Sequence, residues 1–241
     1  MNDTPRRNQY GQPIGPALEG WTARPLPPRT PMVGRTCTVE PVDVNRHAAD
    51  LHRAYASAAD GRDWTYLSAG PFATEADYVE YLNAAAASAD PFHHAVIDHR
   101  TGKAIATLAL MRIDPPNGVI EVGYVTYSPL IQRTVMGTEA QFLLMRRAFD
   151  ELGYRRYEWK CDAFNAPSRR AALRYGFRFE GIFRQAVVTR GRSRDTAWYS
   201  ILDSEWAALR PAYERWLAAA NFDEQGRQRE TLSSLIEAAR G

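Results

Sequence analysis

The pattern of hydrophobic and polar positions predicts a strand and two helices after residue 34. Apolar positions alternate over Thr36–Val42, which is typical of a strand, and then recur at helical spacing over Asn45–Ala59. A second helix is predicted to begin at Thr74, because Thr74 and Asp77 have the spacing of a capping box ahead of an apolar stripe.

Three strand-like runs follow, separated only by short turn sequences. These runs are His94–Asp98, Ala104–Ile113 and Val119–Tyr127. The separators contain His-Arg-Thr-Gly and Asp-Pro-Pro-Asn-Gly, which are typical of turns. A parallel pairing would need a crossover of about a dozen residues, so we expect an antiparallel meander at the centre of a sheet.

The second half of the chain alternates between helix and strand. A loop, Ser128–Gly137, leads into a buried helix, Thr138–Leu152, which Gly153 ends. The remaining predicted elements are a strand over Arg155–Cys161, a helix over Asn165–Tyr175, a hairpin of Phe177–Thr189 with Asp195–Leu202, and helices from Ser204 and from Phe222.

The first 34 residues differ from the rest in composition. They contain seven of the fifteen prolines and show no sustained period of 2 or 3.6. Proline removes backbone donors and favours irregular or polyproline structure. We therefore expect an extended arm over residues 1–34 that is either disordered or wrapped around the body, with Tyr10 and Trp21 available as anchors.

Composition excludes several classes of protein. With 45% hydrophobic and 24% charged residues, the chain should fold, and its longest apolar runs are shorter than the roughly 20 residues needed to cross a bilayer. The polar N-terminal sequence lacks the features of a secretory signal, so the cytoplasm is the expected location. Cys37 and Cys161 have no partners at zinc-ligand spacing, so we expect neither a disulfide framework nor a metal site.

Charge is concentrated in one segment, although the whole chain carries only +2. From Gly153 to Arg194 there are eleven Lys or Arg against three acidic residues, a net +8. This cluster indicates an anionic partner, either a phosphorylated cofactor or nucleic acid. The alternative is a set of solvated arginines on strands and helices.

One stretch carries a family resemblance. From Cys161 to Gly181 the chain reads CDAFNAPSRRAALRYGFRFEG, and Tyr-Ser-Pro precedes the earlier loop, which is followed by Thr-Glu-Ala. Together with the order of elements, this resembles the GNAT superfamily of acyl-CoA-dependent N-acetyltransferases, in the form of its ribosomal-protein alanine acetyltransferase branch. The resemblance covers residues 35–205. It implies an α/β fold with a mixed, mostly antiparallel sheet flanked by helices. Residues 206–241 exceed this core and are predicted to form a helical extension.

The resemblance also implies a site for acetyl-CoA. A diphosphate requires backbone N–H groups, and a loop that enters a helix provides them. The corresponding cofactor-binding residues here are Gln132, Arg133, Thr134, Val135, Met136, Gly137 and Thr138. Arg133 and Val135 stand where the family often has glycine. A backbone N–H near Val125 or Thr126 is expected to polarise the thioester carbonyl.

Two residues near the second short helix are assigned by the same resemblance. Asn165 is expected to contact the pantetheine amide, with a simple helix N-cap as the alternative. Many members use a tyrosine as general acid, but that position here is Ala172, and the role is not transferred to Tyr175. The ribosomal-protein branch has a serine three residues after the Asn. Ser168 is therefore the predicted general acid and a cofactor contact, with a solvent-facing or capping hydroxyl as the alternative.

A base is needed because an alkyl amine is protonated at neutral pH. Glu121 is the predicted base and acceptor contact, since it alternates with Val119, Gly123 and Val125 on one strand face where apolar neighbours would favour its basic role. A solvated Glu is the alternative. Trp64 and Tyr66 lie in the loop where the superfamily builds its acceptor site, and we expect them to line the cleft or else simply to pack.

These observations predict an enzyme that moves an acetyl group from acetyl-CoA directly to a primary amine. The branch resemblance favours a protein N-terminal α-amine, and the first alternative is a small-molecule amine such as a polyamine, amino sugar or amino acid. A second alternative is a noncatalytic acyl-CoA sensor or ribosome-binding module. Nucleic acid is not the expected partner, and the C-terminal helices and the arm leave a homodimer open.

Overall fold

Eight strands form one continuous sheet in the computed structural model, which describes residues 6–241. The first two strands of the described chain, β1 (Arg6–Arg7) and β2 (Pro13–Ile14), pair only with each other. The eight strands of the sheet are β3 (Met32–Val33), β4 (Cys37–Pro41), β5 (Phe92–Asp98), β6 (Lys103–Asp114), β7 (Val119–Tyr127), β8 (Arg156–Asp162), β9 (Arg178–Thr189) and β10 (Arg192–Leu202). The sheet order is β3-β4-β5-β6-β7-β8-β10-β9, and β7–β8 is its parallel pair. The predicted mostly antiparallel sheet and its central meander are confirmed.

Six α-helices flank the strands. They are α1 (Val44–Ala56), α2 (Glu75–Ala87), α3 (Val135–Arg146), α4 (Ala166–Arg174), α5 (Asp203–Leu217) and α6 (Leu232–Arg240). Short 3-10 turns lie at Arg62–Trp64 and Ala219–Asn221. The predicted capping box of α2 is confirmed, since the side chains of Thr74 and Asp77 each accept from the other's backbone N–H.

Two helix starts differ from the prediction. Helix α3 begins at Val135 rather than Thr138, because the Thr134 hydroxyl caps its first turn by accepting from the Gly137 N–H at 3.3 Å. Beyond Arg146 the helix continues as a π turn. Helix α6 begins at Leu232 rather than near Phe222, since Asp223 and Gly226 form a turn that interrupts the chain between the last two helices.

The sheet separates two apolar clusters. Ala95 and Val96 are neighbours on β5 and belong to different clusters, so the clusters lie on opposite faces of the sheet. Helices α1 and α2 pack on one face around Leu51 and Tyr78. Helices α3, α4, α5 and α6 pack on the other face, around residues such as Leu143.

The proline-rich segment runs along the body. The Trp21 indole donates to the Pro116 carbonyl at 2.8 Å, and Tyr154 donates its hydroxyl to the Pro25 carbonyl at 3.1 Å. Tyr10, the other expected anchor, is exposed. The first five residues of the predicted arm lie outside the described residues. Across residues 6–241, no helix combines the length and apolarity that a bilayer crossing would require.

Candidate functional site

The parallel strands β7 and β8 separate at their carboxyl ends. Their pairing runs from Val119 opposite Arg156 to Val122 opposite Trp159 and then stops. Beyond this point a cleft of about 1810 Å³ opens, bordered by the second half of β7 and the end of β8. Helices α3 and α4 begin at the same opening. Such openings at the carboxyl ends of strands are where α/β sheets bind ligands.

Thirteen of the fourteen site residues predicted from sequence line this cleft. They are Trp64, Tyr66, Glu121, Val125, Thr126, Gln132, Arg133, Thr134, Val135, Gly137, Thr138, Asn165 and Ser168. The exception is Met136, which is buried in the apolar cluster beneath α3. Helical periodicity explains this difference, because Met136 lies on the core side of the first turn.

The first turn of α3 has the features of a diphosphate site. The N–H groups of Val135 and Met136 have no acceptor within the helix, since they belong to its first turn. Gly137 allows the turn to pack closely, because an added Cβ would lie 3.1 Å from the Ile131 carbonyl oxygen. Arg133 has φ of 60°, so an arginine here adopts the left-handed conformation that glycine adopts without strain.

Cations and an unpartnered hydroxyl surround this helix start. Arg133, Arg170 and Arg174 all line the cleft, and Arg174 donates to the Thr138 hydroxyl at 2.9 Å. The Ser128 hydroxyl is buried and has no hydrogen-bond partner within residues 6–241. These groups suit an anionic ligand with hydrogen-bonding oxygens, and they therefore fit the phosphate-bearing end of coenzyme A.

The start of α4 positions Asn165 and Ser168. The Asn165 side-chain oxygen accepts from the Ser168 N–H at 3.1 Å, so the N-cap alternative is observed, while the amide NH₂ stays available to a ligand. The Ser168 hydroxyl oxygen accepts from the Trp159 indole at 3.0 Å. That bond leaves the hydroxyl proton free to be donated. Ala172, which replaces the family's tyrosine, is buried.

Two other groups near this end, the Tyr175 phenol and the Cys161 thiol, are buried. Burial raises the pKa of the Tyr175 phenol, whose oxygen lies 3.5 Å from the Gly137 carbonyl oxygen. Burial also raises the pKa of the Cys161 thiol, so Cys161 remains a neutral thiol and a poor nucleophile at neutral pH.

Glu121 has surroundings that differ from both expectations. It is only 2% exposed, so it is not the solvated residue of the alternative reading. Its neighbours are not apolar either: both carboxylate oxygens accept from Arg112 at 2.8 Å, and Lys160 Nζ lies 2.8 Å from Oε2. The expectation of an apolar environment was wrong because these cations come from the adjacent strands β6 and β8, not from β7 itself.

A β-bulge directs Arg112 toward Glu121. Arg112 has φ of 45°, and the β6–β7 register shifts between Met111 and Asp114. The Asp90 carboxylate accepts from the backbone N–H groups of Arg112 and Ile113 at 2.8 and 3.0 Å, which stabilises the bulge.

Lys160 links Glu121 to a wider ionic network. Its Nζ lies 2.6 Å from Glu158 Oε2 and 3.7 Å from the centroid of the Trp198 ring. Glu158 in turn pairs with Arg156 at 2.6 Å. Glu121 and Glu158, the two buried carboxylates of this network, therefore each have at least one cation beside them, as burial of charge requires.

A second bulge lies on β7 beside the cleft. The β6–β7 register shifts between Gly123 and Thr126, so Tyr124 and Val125 of β7 have no paired residue on β6. Tyr124 has φ of 47°. This stretch also lies beyond the last β7–β8 pair. Tyr124 and Val125 therefore have no register partner on either neighbouring strand, at the position where an N–H donor near Val125 is expected.

The α1–α2 loop closes one side of the cleft. Trp64 is mostly buried and packs edge-on against Tyr55, while the Tyr66 hydroxyl donates to the Phe164 carbonyl at 3.1 Å. The Gln132 side chain joins this loop to the start of α3 by donating to Asp63 at 2.9 Å.

The tip of the β9–β10 hairpin anchors the same loop. Arg192 donates to the Thr65 carbonyl at 2.8 Å, and Arg190 donates to the carbonyls of Trp64 and Gly70. Sequence reasoning placed Trp64 and Tyr66 in the loop but gave no signal for this long-range support.

Sequence reasoning missed several other residues of the cleft. They are Arg112, Lys160, Arg194, Thr196 and Trp198, together with Phe222, Gly226 and Gln228 from the C-terminal extension. The alternation of Glu158 and Lys160 with Tyr157 and Trp159 was a readable signal for β8, since it predicts one charged and one aromatic face.

Comparisons with known proteins agree with this architecture. Residues 38–178 match the family described as Acetyltransferase (GNAT) domain. The crystal structure of a GCN5-related N-acetyltransferase from Brucella melitensis is 51% identical, with a TM-score of 0.90 over 91% of this chain and 100% of that chain. The structure of RimL, a ribosomal alpha-N-protein acetyltransferase in complex with coenzyme A, shares the fold at 17% identity, with a TM-score of 0.57 over 72% of this chain and 98% of that one.

A curated relative matches over a shorter region. The uncharacterized N-acetyltransferase YnaD of Bacillus subtilis is 30% identical over 86 residues, which are 36% of this chain and 50% of the relative. The chain thus spans half the length of this relative.

Proposed function

Because the chain belongs to the GNAT acetyltransferase family, we propose that it transfers an acetyl group from acetyl-CoA directly to a primary amine, the N-terminal α-amine of a protein. The observation that carries the proposal is the opening between β7 and β8, where a helix N-terminus with nearby arginines borders the same cleft as the buried carboxylate of Glu121. The proposed anion-binding end and the proposed proton acceptor therefore border one cavity.

The cofactor would be held by the first turn of α3, by Arg133, Arg170 and Arg174, and by the Asn165 amide. When bound, acetyl-CoA supplies an activated acetyl thioester. The backbone N–H groups of the β7 bulge near Val125 are the donors proposed to face its carbonyl oxygen. The Ser168 hydroxyl, already oriented by Trp159, is the proposed proton donor.

Glu121 is the proposed proton acceptor for the amine. Arg112 and Lys160 hold its carboxylate in one orientation through three contacts of 2.8 Å. Among the acidic residues that line the cleft, Glu121 is the one on the strand proposed to face the thioester, so it is the group proposed to take the proton of the incoming amine. Direct transfer is favoured because Cys161, the cysteine that lines the cleft, is a buried neutral thiol.

A small-molecule amine is the second candidate acceptor. The Tyr66–Phe164 hydrogen bond spans from the α1–α2 loop to the start of α4, and the Gln132–Asp63 bond joins that loop to α3. These bonds fix the α1–α2 loop against the starts of α3 and α4, and a cleft restrained in this way favours a small acceptor. The branch motif and the fold shared with RimL favour the protein N-terminus instead.

The first experiment is a calorimetric titration with acetyl-CoA, followed by mass spectrometry of peptides and small amines incubated with the protein and acetyl-CoA. We expect saturable micromolar binding and acetylation of peptide α-amines. No binding at millimolar acetyl-CoA would overturn the proposal. Binding without acetylation of any amine would favour a noncatalytic acyl-CoA sensor, and acetylation of small amines alone would favour the second acceptor class.

A further inference from the structure

Three residues of strand β10 that line the cleft each carry a buried side-chain polar atom with no hydrogen-bond partner within residues 6–241. These atoms are Arg194 Nε, Thr196 Oγ1 and Trp198 Nε1. The three residues alternate along the strand and therefore lie on one face of it. The arginine and indole groups can only donate, and the threonine hydroxyl can donate as well. We call these three residues the β10 donor stripe.

Three such atoms on one strand are unusual in a folded protein. Most buried polar atoms have a partner, and leaving one without a partner destabilises the folded protein. Thr196 is only 5% exposed, so solvent does not readily satisfy it. Because all three residues line the same cleft, a ligand oxygen that enters between their side chains would supply a hydrogen-bond acceptor that the described chain does not.

The β10 donor stripe lies on the acceptor side of the cleft. The β8–β10 register places Thr196 opposite Asp162 and Trp198 opposite Lys160. Lys160 contacts both the Trp198 ring and Glu121, so the stripe adjoins the proposed proton acceptor. Trp159, by contrast, points from the other face of β8 toward Ser168.

The positive charge of the β10 donor stripe also limits the class of amine that can bind as acceptor. Arg194 has no ion-pair partner within the described chain, whereas Arg112 and Lys160 are paired with carboxylates. A polycationic amine would bring further positive charge beside Arg194. An oxygen with partial or full negative charge would instead be stabilised there.

We propose that the β10 donor stripe binds a carbonyl or carboxylate oxygen next to the reacting amine, so that the acceptor is an α-aminoacyl compound rather than a polyamine or simple alkylamine. This inference rests on the proposed acetyl transfer. Donors of this kind fit both the first carbonyl of a peptide and the carboxylate of a free amino acid. The experiment distinguishes these two acceptors.

The first test compares acceptors of matched shape at saturating acetyl-CoA. Alaninamide carries a neutral carbonyl, L-alanine carries a carboxylate, and isopropylamine has a methyl group in place of either. With kcat/KM calculated on the concentration of the neutral amine, so that the different basicities of the three amines cancel, we expect alaninamide or L-alanine to exceed isopropylamine by at least about tenfold, because a site built for hydrogen bonds rejects an analogue that lacks them. Preference for alaninamide would indicate a peptide, and preference for L-alanine a free amino acid.

The second test changes the stripe itself. Thr196→Val and Trp198→Phe preserve shape and remove the donors, so each should raise KM for the preferred acceptor and leave both isopropylamine kinetics and acetyl-CoA affinity unchanged. Ser193→Ala, at an exposed position of β10 outside the cleft, is the matched control and should leave every value unchanged.

A binding measurement separates the two proposals. N-acetylalaninamide and N-isopropylacetamide are titrated into the protein with coenzyme A, which requires no turnover. If amines are acetylated but alaninamide, L-alanine and isopropylamine react equally well, the stripe proposal fails and acetyl transfer stands. If none is acetylated but N-acetylalaninamide binds preferentially and Thr196→Val abolishes that preference, acetyl transfer fails, and of the stripe proposal only the binding of a carbonyl oxygen stands. No preference in either measurement overturns the stripe proposal.

Discussion

The two faces of β8 are both buried, but they are built from opposite chemistry. On one face Tyr157, Trp159 and Cys161 belong to the apolar cluster with α3, α4 and α5. On the other face Glu158 and Lys160 have side chains that are only 8% and 7% exposed and form ion pairs with each other. One strand thus separates an apolar core from a buried ionic network.

The difference shows how a fold can keep charges at a reactive position. Buried ion pairs contribute little net stability, because desolvation offsets their attraction, whereas removing one partner is strongly destabilising. The apolar face stabilises the sheet, and the ionic face fixes Glu121 beside the cleft. Substitutions on the two faces should therefore have different signatures.

The largest effect is expected from Glu121→Gln, which keeps the shape of the side chain and removes its ability to accept a proton. We expect kcat/KM for acetyl transfer to fall by about 10² to 10⁴ while acetyl-CoA affinity is unchanged. Steady-state kinetics and calorimetry measure the two quantities. The matched control is Glu158→Gln, which alters the same network at a residue that does not line the cleft. Equal losses in both variants would remove Glu121 from the mechanism.

Lys160→Met tests the ionic face as a structural element. The substitution leaves Glu121 with Arg112 alone and Glu158 with Arg156 alone. We expect a loss of about 3 kcal/mol in the free energy of unfolding, measured by urea denaturation. Lys103→Met, which removes a more exposed pair with Asp50, should cost less than about 1 kcal/mol. Similar costs for both would mean that the buried network has no special role in stability.

Ser168→Ala tests the contact between α4 and the apolar face of β8, where Trp159 donates to the Ser168 hydroxyl. The hydroxyl accepts from the Trp159 indole and is the proposed proton donor, so turnover should fall by about tenfold to a hundredfold while acetyl-CoA affinity is retained. Trp159→Phe removes the same hydrogen bond but keeps the hydroxyl, and should preserve most of the turnover. If Trp159→Phe slows turnover as much as Ser168→Ala does, Ser168 has only a positioning role.

Local patterns predicted much of this architecture. The strand-like runs of β5, β6 and β7 and the turn residues between them predicted the meander, and Thr74 marked the start of α2. The start of α3 was placed too late because Val135 to Gly137 was assigned to the phosphate loop. The Thr134 cap three residues before Gly137 was the available signal.

The ionic network and the β10 donor stripe could not be predicted in this way. Lys160 meets Glu121 because β7 and β8 are parallel neighbours joined through α3, so their contact depends on strand order and register. Trp198 meets Lys160 across a further strand pair. Periodicity assigns each residue to a face of its own strand, but it does not identify the residue opposite.

The smallest effect is expected from Tyr157→Phe on the apolar face, and its sign should be opposite to that of Lys160→Met. The Tyr157 ring is fully buried between Phe149 and Phe177, and its hydroxyl has no partner within residues 6–241. Burial accordingly raises the pKa of this phenol well above its usual value. Removing an unpartnered polar atom without changing the ring should stabilise the protein by about 1 kcal/mol, read as a higher urea midpoint at an unchanged slope. A lower midpoint would mean that an ordered water satisfies the hydroxyl, and the apolar face would then contain a polar contact of its own.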